Sequence, residues 1–577
     1  MNNSYFKVLK VINLIDKDKL VKITYFLFVI LIFISLIEAT VIGSIYPIIE
    51  YLYDQDSLIK YQEKTNHFLN IELNYENFPA YFFLFISSLF LFSAILQIIS
   101  IFLVNKVKEE ISFNLKNKLL NQYFHKKMNF YEKNKAGDLI QRLLIHPTYC
   151  GEIVWFSLAA LKELMVMLVI YFFLLYLSIK YTLVLTIIFL ILSIIVQKGK
   201  KLVISQTHQR NTSQEKLFSI SNIIISAIKI IKISNKKKYF IDLFYKYSTN
   251  YRNKEVYLNT IVNLPAIVIR FSSFATLVML VYYITSRTNF EPAFFGVYFA
   301  AAYKINNSFG LFNNSILGIN NVLPSFDIIK KELSREIIKY KDKKKLIKIY
   351  NFKKQINLKK IVFNYQNSKN PTLNITNLKI KKGNIIGLVG DSGSGKSTLL
   401  DILSGLRVPN KILINIDGKK NINHENIYFN NFTYSNQKQI IFPGTIKQNI
   451  TFFDKTENLK RINEVMNICE LKALFKSKSL SLNSQIRENG NNLSGGQMQR
   501  IGLARTLYLE NEIIFLDEAL SNVESKTESE ILSKVFKFVK KYNKTLIIVS
   551  HNLSFLKHVD QIINIKNITN YNKKNFN

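Results

Sequence analysis

Cysteine is almost absent from this sequence, since its 577 residues include only Cys150 and Cys469. Two isolated cysteines cannot supply the disulfide framework that stabilises small secreted domains. Both lie in stretches that we interpret as cytosolic. We expect no cleavable signal peptide, because the first apolar segment is too long for one and follows a polar, lysine-rich stretch.

Acidic residues are scarce relative to basic ones. The chain has 40 Asp and Glu against 77 Lys and Arg, which gives a formal net charge of +37. Such an excess would ordinarily suggest nucleic-acid binding. Lysine is instead spread over most of the chain, together with much Asn and Ile, so we expect no nucleic-acid partner.

Hydrophobic residues make up 48% of the chain and are clustered in its first half. Six segments there approach the roughly 20 apolar residues needed to cross a bilayer. We expect Pro324 to end the sixth. The sequence therefore predicts an all-α transmembrane domain with spans at about 22–50, 78–105, 152–179, 181–198, 258–285 and 293–318.

Lysine and arginine orient these segments. Loop 51–77 carries two of them, whereas 106–150 carries nine and 198–257 carries thirteen. The positive-inside rule then places both basic stretches, and both termini, in the cytoplasm. Each stretch is predicted to be helical with a polar break, at 133–138 and at 234–238. The breaks favour short helices that contact a cytosolic domain, with solvated loops as the alternative.

Ionisable residues inside apolar segments are costly and are therefore functional candidates. Glu38, Arg270 and Lys304 are three of them. In one interpretation Glu38 pairs with Arg270 or Lys304 as a structural bridge. In the other, the two cations face a central cavity and bind an anionic head group. The second interpretation agrees with the polar character of the sixth segment, which contains Asn306, Asn307, Asn313 and Asn314.

The second half changes to short β-type runs, and a glycine-rich stretch at 390–398 follows one of them. The stretch fits the phosphate-loop pattern of Gly, four residues, then Gly-Lys-Ser/Thr. Its backbone N–H groups and the helix that follows attract a nucleotide phosphate. We expect Lys396 to reach the β- and γ-phosphates and the Ser397 hydroxyl to ligate Mg²⁺. The candidate nucleotide-binding residues here are Gly390, Asp391, Ser392, Gly393, Ser394, Gly395, Lys396, Ser397 and Thr398.

Two further motifs complete a site for phosphoryl chemistry. An apolar run ends in Asp517, a candidate metal ligand, and Glu518, which would polarise the attacking water. At 493–497, Leu-Ser-Gly-Gly-Gln opens a helix that Ser494 can cap and whose dipole favours a second phosphate contact. One nucleotide can use both phosphate sites if two such domains face each other head to tail. The residues of this second motif are Leu493, Ser494, Gly495, Gly496 and Gln497.

The order and spacing of the three motifs resemble those of ABC transporters of the exporter type, over nearly the whole chain. The resemblance implies a transmembrane domain at 1–330, a linker at 331–351 and an α/β P-loop ATP-binding domain at 352–577. It implies ATP hydrolysis coupled to transport, with ATP and Mg²⁺ as cofactors.

The resemblance also implies roles for individual residues. Gln437 matches the glutamine that reaches the metal, His551 the histidine that contacts the γ-phosphate, and Tyr365 the aromatic residue that stacks on adenine. Two positions depart from the family pattern. Glu524 replaces an aspartate, and Arg487 stands where exporters often have glycine. Neither departure removes the catalytic set, so we expect ATPase activity.

Six spans joined to one ATPase domain imply a half-transporter that works as a homodimer, or as a heterodimer with a related chain. The stretches around Glu38 and Lys304 resemble bacterial exporters of lipid-linked oligosaccharides and other glycans, although Arg270 stands where relatives often carry an acid. We expect an amphiphilic substrate, an anionic lipid-linked oligosaccharide or glycolipid. A peptide, drug or plain-lipid exporter is the alternative. The expected location is the bacterial inner membrane, with the ATPase domain in the cytoplasm.

Overall fold

The computed structural model describes residues 17–54, 57–69, 77–126, 128–134, 136–285, 292–334, 353–365, 372–422, 432–478, 480–487, 492–549 and 553–565. The chain divides into two compact units. The helical unit comprises Met1–Lys126 and Asn134–Ile337, and the α/β unit comprises Ile338–Asn577 together with the short segment Lys127–Lys133.

Long α-helices build the helical unit, and one short helix from the same half of the sequence, α5 (Met128–Lys133), belongs to the α/β unit. The predicted breaks in the two basic stretches are confirmed: a six-residue helix, α5, lies between α4 and α6, and a second one, α8, ends just before α9 begins. The helices are α1 (Lys17–Gly43), α2 (Ile45–Tyr53), α3 (Leu58–Leu69), α4 (Phe78–Phe124), α5 (Met128–Lys133), α6 (Ala136–Leu177), α7 (Ile179–Ser226), α8 (Ile228–Ile233), α9 (Lys237–Thr285) and α10 (Pro292–Ser334).

The predicted spans coincide with parts of α1–α2, α4, α6, α7, α9 and α10. Among the described residues, three stretches are long and apolar enough to cross a membrane, namely Phe26–Tyr53, Phe78–Phe124 and Gly137–Leu177. The apolar half of α4 leaves large side chains such as Leu84 and Ile98 exposed. Such a surface is unfavourable in water and favourable against lipid.

We expect the sixth apolar segment to end at Pro324, but the helix that contains this segment continues past the proline. Pro324 lies inside α10, which continues to Ser334. A proline in a helix costs about 3 kcal/mol. The next turns bury Phe326 and Ile329 in a core shared with Ile153 of α6, and each large apolar side chain buried contributes about 1.5–3 kcal/mol. Packing against α6 therefore outweighs the local cost of the proline.

Close approach of α10 to α6 requires a glycine at position 318. A Cβ atom built on Gly318 would lie 2.4 Å from the Phe156 ring. Any larger residue must displace this aromatic ring from the interface, and overpacking of this kind costs about 1–3 kcal/mol.

We predict that Gly318→Ala lowers the melting temperature of the purified protein. The double variant Gly318→Ala, Phe156→Leu should lose less stability than the sum of its single variants, because the smaller side chain makes room for the new methyl group. Gly137→Ala is the matched control, since its Cβ would meet no atom nearer than 3.5 Å. Equal melting temperatures for the two alanine variants would contradict the prediction.

Two sheets organise the α/β unit. The antiparallel sheet has the order β2-β1-β4-β5, with β1 (Gln355–Phe363), β2 (Leu373–Lys381), β4 (Lys411–Ile416) and β5 (Lys419–Ile422). The second sheet has the order β11-β3-β10-β9-β6, and its paired neighbours are parallel. Its strands are β3 (Ile385–Val389), β6 (Phe432–Ser435), β9 (Ile513–Asp517), β10 (Thr545–Val549) and β11 (Gln561–Asn564).

Helices and two short strands complete this unit. They are α11 (Lys396–Leu403), β7 (Gly444–Thr445), α12 (Ile446–Thr451), α13 (Leu459–Ile468), α14 (Leu471–Lys478), β8 (Gln485–Ile486), α15 (Gly495–Tyr508), α16 (Ser525–Lys541) and a 3₁₀ helix at Leu553–His558. The parallel sheet separates two cores. Ile514 and Leu516 of β9 face one core, and Ile513 and Phe515 face the other. Both faces of the sheet are thus covered, as is usual for parallel sheets.

Candidate nucleotide-binding site

The phosphate loop connects β3 to α11, and its backbone requires glycine. Gly393 and Gly395 have φ angles of 76° and 99°, a region that side chains other than glycine rarely adopt. A Cβ atom on Gly395 would also lie 2.6 Å from Leu373 of β2. The loop therefore places its turn tightly against the neighbouring sheet, as the sequence pattern predicts.

Two side chains at the start of α11 lie at this loop. Lys396 Nζ donates hydrogen bonds to the carbonyl oxygens of Gly390 at 2.8 Å and Asp391 at 2.9 Å. The ammonium group is thereby held over the loop, where a phosphate would need a positive charge. Ser397, in the same turn, is exposed.

Asp517 and Glu518 lie at the carboxyl end of β9, and each accepts a hydrogen bond from β6 or the segment after it. Tyr434 Oη donates to Asp517 Oδ2 at 2.8 Å, and Gln437 Nε2 donates to Glu518 Oε2 at 2.8 Å. The predicted metal ligand, the predicted base and the predicted metal-sensing glutamine are thus brought together.

Glu518 adopts an unusual backbone conformation, with a φ angle of 51°. Its N–H donates to the Val549 carbonyl at 2.9 Å, which fixes the turn that follows β9 against the end of β10. Residues other than glycine held at positive φ cost about 1–3 kcal/mol and cluster at functional sites.

Tyr434 is a donor that sequence reasoning missed. Burial, and then the negative charge of Asp517, raise the pKa of the Tyr434 phenol. The phenol therefore stays protonated and donates to the carboxylate over the whole physiological pH range. No sequence signal distinguishes Tyr434 from an ordinary strand aromatic.

The Leu-Ser-Gly-Gly-Gln motif opens α15 as predicted. Ser494 Oγ accepts from the N–H of Gln497 at 3.4 Å, and Gln497 Oε1 accepts from the N–H of Ser494 at 3.0 Å, which is a capping box. A Cβ atom on Gly496 would lie 2.8 Å from the Asn522 carbonyl oxygen. Gly496 is therefore required for the close packing of α15 against the loop after Glu518, in addition to any contact that it makes with a phosphate.

Gln499, which the sequence analysis did not single out, joins three parts of the site. Its Nε2 donates to the Gln437 carbonyl at 3.0 Å and to Ser521 Oγ at 3.1 Å, while its Oε1 accepts from the Asn522 N–H at 2.8 Å. The one available signal is a glutamine in a helix that also carries the apolar residues Ile501, Leu503 and Leu507. Buried polar side chains need partners, so such a residue predicts a network.

The remaining predicted residues differ in what the structure describes of them. His551 is outside the described residues, and the Arg270 side chain is outside the described side chains. Glu524 precedes α16 without a side-chain capping bond, and Arg487 is exposed. Tyr365 lies beside the phosphate-loop helix, with its hydroxyl 3.0 Å from Thr398 Oγ1.

Of the two cations considered as partners of Glu38 in the helical unit, Lys304 forms the pair in the structure. Lys304 Nζ lies 3.2 Å from Glu38 Oε1, and Gln97 Nε2 donates to the same oxygen at 3.2 Å. Glu38 keeps 11% of its side-chain surface exposed and Lys304 keeps 32%. The acid is therefore the inner member of the pair, and the cation is the more accessible one.

Helices long enough to cross a membrane and an α/β unit with a phosphate loop define a membrane-embedded, nucleotide-driven transporter. Comparison with known families identifies its type. The family model of the ABC transporter transmembrane region matches residues 22–301, and the family model of the ABC transporter matches residues 373–521. The chain belongs to the ABC transporter family as an exporter half-transporter, and it couples ATP hydrolysis to transport.

Two of the similar proteins match most of this chain, and a third matches a smaller part of it. A multidrug resistance-like ATP-binding protein, MdlA of Buchnera aphidicola, is 29% identical over 478 residues, which cover 79% of this chain and 80% of that protein. An ATP-dependent lipid A-core flippase of Colwellia psychrerythraea is 26% identical over 495 residues, covering 83% and 82%. A lactococcin-G-processing and transport protein of Lactococcus lactis is 37% identical over 218 residues, covering 37% and 30%.

We predict that Tyr434→Phe lowers the ATPase rate about threefold to tenfold, because one hydrogen bond to Asp517 is worth about 0.5–1.5 kcal/mol. The Mg²⁺ concentration for half-maximal rate should rise, since the freed carboxylate is less well oriented. Tyr508→Phe is the matched control, because Tyr508 is a buried tyrosine of the same unit and its hydroxyl accepts from the Asn458 N–H at 3.2 Å. If the Tyr434→Phe and Tyr508→Phe variants show the same dependence of ATPase rate on Mg²⁺ concentration, Tyr434 does not orient the metal-binding carboxylate.

Proposed function

We propose that this exporter moves an anionic lipid-linked oligosaccharide or glycolipid from the cytoplasmic side of a bacterial inner membrane. The observation that carries the proposal is the accessible cation Lys304, held at Glu38 within apolar helices. A partly exposed ammonium group in this setting is costly unless it serves a function, and a phosphate head group is a suitable ligand. The lipid A-core flippase, which is similar over most of its length, agrees with a lipid-linked substrate.

A drug exporter is the second candidate. The similarity to the multidrug resistance-like protein MdlA extends over a comparable share of the chain. The lactococcin-G transporter matches a smaller share, so a peptide substrate is less well supported.

We also propose a role for each residue of the nucleotide site. Lys396 contacts the β- and γ-phosphates, and the N–H groups of residues 390–398 surround the β-phosphate. Tyr365 stacks on adenine. Glu518 accepts a proton from the attacking water, and Gln437, bonded to Glu518, orients that carboxylate. His551 contacts the γ-phosphate.

The oxygen donors Ser397, Gln437 and Asp517 suit Mg²⁺, which prefers one or two carboxylates together with substrate phosphates over a cage of protein ligands. Among the described residues no group of three or more His, Cys, Asp or Glu could hold a metal. Bound Mg²⁺ would neutralise charge on the phosphates.

As a half-transporter the chain acts in a dimer, and we propose a homodimer. The 493–497 motif of one copy then contacts the nucleotide on the phosphate loop of the other. ATP shifts the membrane helices only through its higher affinity for the closed dimer. Hydrolysis removes this difference and reopens the pair. Both termini and the ATPase units lie in the cytoplasm in this arrangement.

We predict that Glu518→Gln lowers ATP hydrolysis at least about 100-fold while ATP binding persists, because general-base catalysis contributes about 10²–10⁴ in rate. Phosphate release by the protein in lipid vesicles measures the effect. Glu512→Gln removes a carboxylate at the other end of β9, where Glu512 pairs with Lys382 at 3.5 Å, and should leave the rate unchanged. Hydrolysis in the Glu518 variant at the parental rate would refute its assignment as the base.

We predict that an anionic lipid-linked oligosaccharide stimulates the ATPase in vesicles more than neutral lipids, drugs or peptides do. Lys304→Gln should abolish this stimulation and keep the basal rate. The exchange Glu38→Lys, Lys304→Glu retains a bridge but puts a carboxylate at the more accessible position. Loss of stimulation in the exchange variant supports head-group binding, whereas full recovery would show that the pair is only structural.

A further inference from the structure

Arg407 lies between α11 and β4 in the α/β unit and is bound on several sides. Its Nε donates to Asp401 Oδ2 of α11 at 2.8 Å. Its Nη1 donates to Glu132 Oε2 of α5 at 3.1 Å, and its Nη2 donates to the other oxygen of the same carboxylate. This two-point arrangement fixes the plane of the guanidinium group.

The Arg407 side chain is only 8% exposed. A charge this buried must be paired, and the two carboxylates provide the pairing. Burial opposes the charge, but the hydrogen bonds that Arg407 donates to Glu132 and Asp401 outweigh this effect and raise the pKa of Arg407. Arg407 is therefore a permanent cation at a fixed position.

This cation lies over an aromatic pair at the end of β1. The guanidinium carbon is 5.1 Å from the centre of the Tyr365 ring and 5.9 Å from that of Phe363, within cation–π range. The two rings meet edge to face at 5.1 Å. Tyr365 is thus contacted by a cation, by a buried ring and, through its hydroxyl, by Thr398.

Tyr365 nevertheless remains 39% exposed, which leaves surface for a ligand. A ring at the end of a strand has rotational freedom, and ordering it during binding would cost affinity. The contacts with Arg407, Phe363 and Thr398 remove this freedom in advance. Of these three contact residues, Arg407 is itself fixed by hydrogen bonds to Asp401 of α11 and Glu132 of α5.

We propose that Arg407, fixed by Glu132 and Asp401, is a positioning residue that holds Tyr365 as a stacking surface for the adenine base. Glu132 belongs to α5, so a short helix from the first half of the sequence contributes to base recognition. The inference rests on the nucleotide site proposed above. It concerns the base alone, because Arg407 and Glu132 contact neither Lys396 nor Ser397 in the described contacts.

The test separates base from phosphate binding. Full-length protein carrying Glu518→Gln is placed in lipid nanodiscs and titrated calorimetrically with Mg·ATP and with Mg·tripolyphosphate, which has no base. Arg407→Gln should raise the Kd for ATP about fivefold to tenfold, the effect of losing a buried cation–π contact and its orientation. The Kd for tripolyphosphate should stay unchanged. Glu132→Gln should change the ATP Kd in the same direction by a smaller factor.

Arg407→Lys keeps the charge but cannot bind a carboxylate at two points, so it should recover part of the ATP affinity. Arg461→Gln is the matched control. Arg461 is equally buried at 8% exposed, pairs with Glu464 and lies over the Phe538 and Tyr542 rings. It should lower thermal stability and leave both Kd values unchanged.

Equal weakening of ATP and tripolyphosphate binding by Arg407→Gln, or no change in either, would overturn the inference and leave the nucleotide site standing. Lys396→Ala tests the site itself and should weaken binding of both ligands. If Lys396→Ala weakens binding of neither ATP nor tripolyphosphate, the proposed nucleotide site is wrong, and the role of Arg407 that depends on it is wrong as well.

Discussion

Parallel pairing of β10 with both β3 and β9 determines where chemistry can occur in this protein. Since parallel strands end at the same edge of a sheet, the phosphate loop after β3 and the acids after β9 must lie on one edge. The pairing is stabilised by apolar side chains on both faces, which contribute to two separate cores. The position of Lys396 relative to Asp517 and Glu518 is therefore a property of the core packing.

Polar groups at that edge are joined by hydrogen bonds that cross between loops distant in sequence. Gln499 of α15 links the backbone of Gln437 to the loop at Ser521 and Asn522, and Gln437 in turn bonds Glu518. Gln499 is only 1% exposed, so its polar atoms must keep their partners or bear a desolvation penalty of about 1–3 kcal/mol. These bonds connect α15, which begins at the 493–497 motif, to the Glu518 carboxylate.

Much of this arrangement follows from local sequence pattern. The change to short β-type runs in the second half, the strand before the phosphate loop and the capped start of α15 are confirmed, because each depends on residues near in sequence. The family and the order of its two domains were predictable for the same reason. The continuity of α10 through Pro324 does not follow from local pattern, because the favourable term, burial of Phe326 and Ile329 against α6, comes from residues far away along the chain.

The residues that sequence reasoning missed share this dependence on distant partners. Tyr434 meets Asp517 83 positions later, and Arg407 meets Glu132 275 positions earlier. No local pattern marks an arginine after α11 as different from the many other cations of a chain with charge +37. Its distinguishing property is burial between two carboxylates, and burial is decided by the fold. The motifs common to the family can therefore be recognised from residues close together in sequence. The contacts particular to this chain depend on which distant segments its packing brings together.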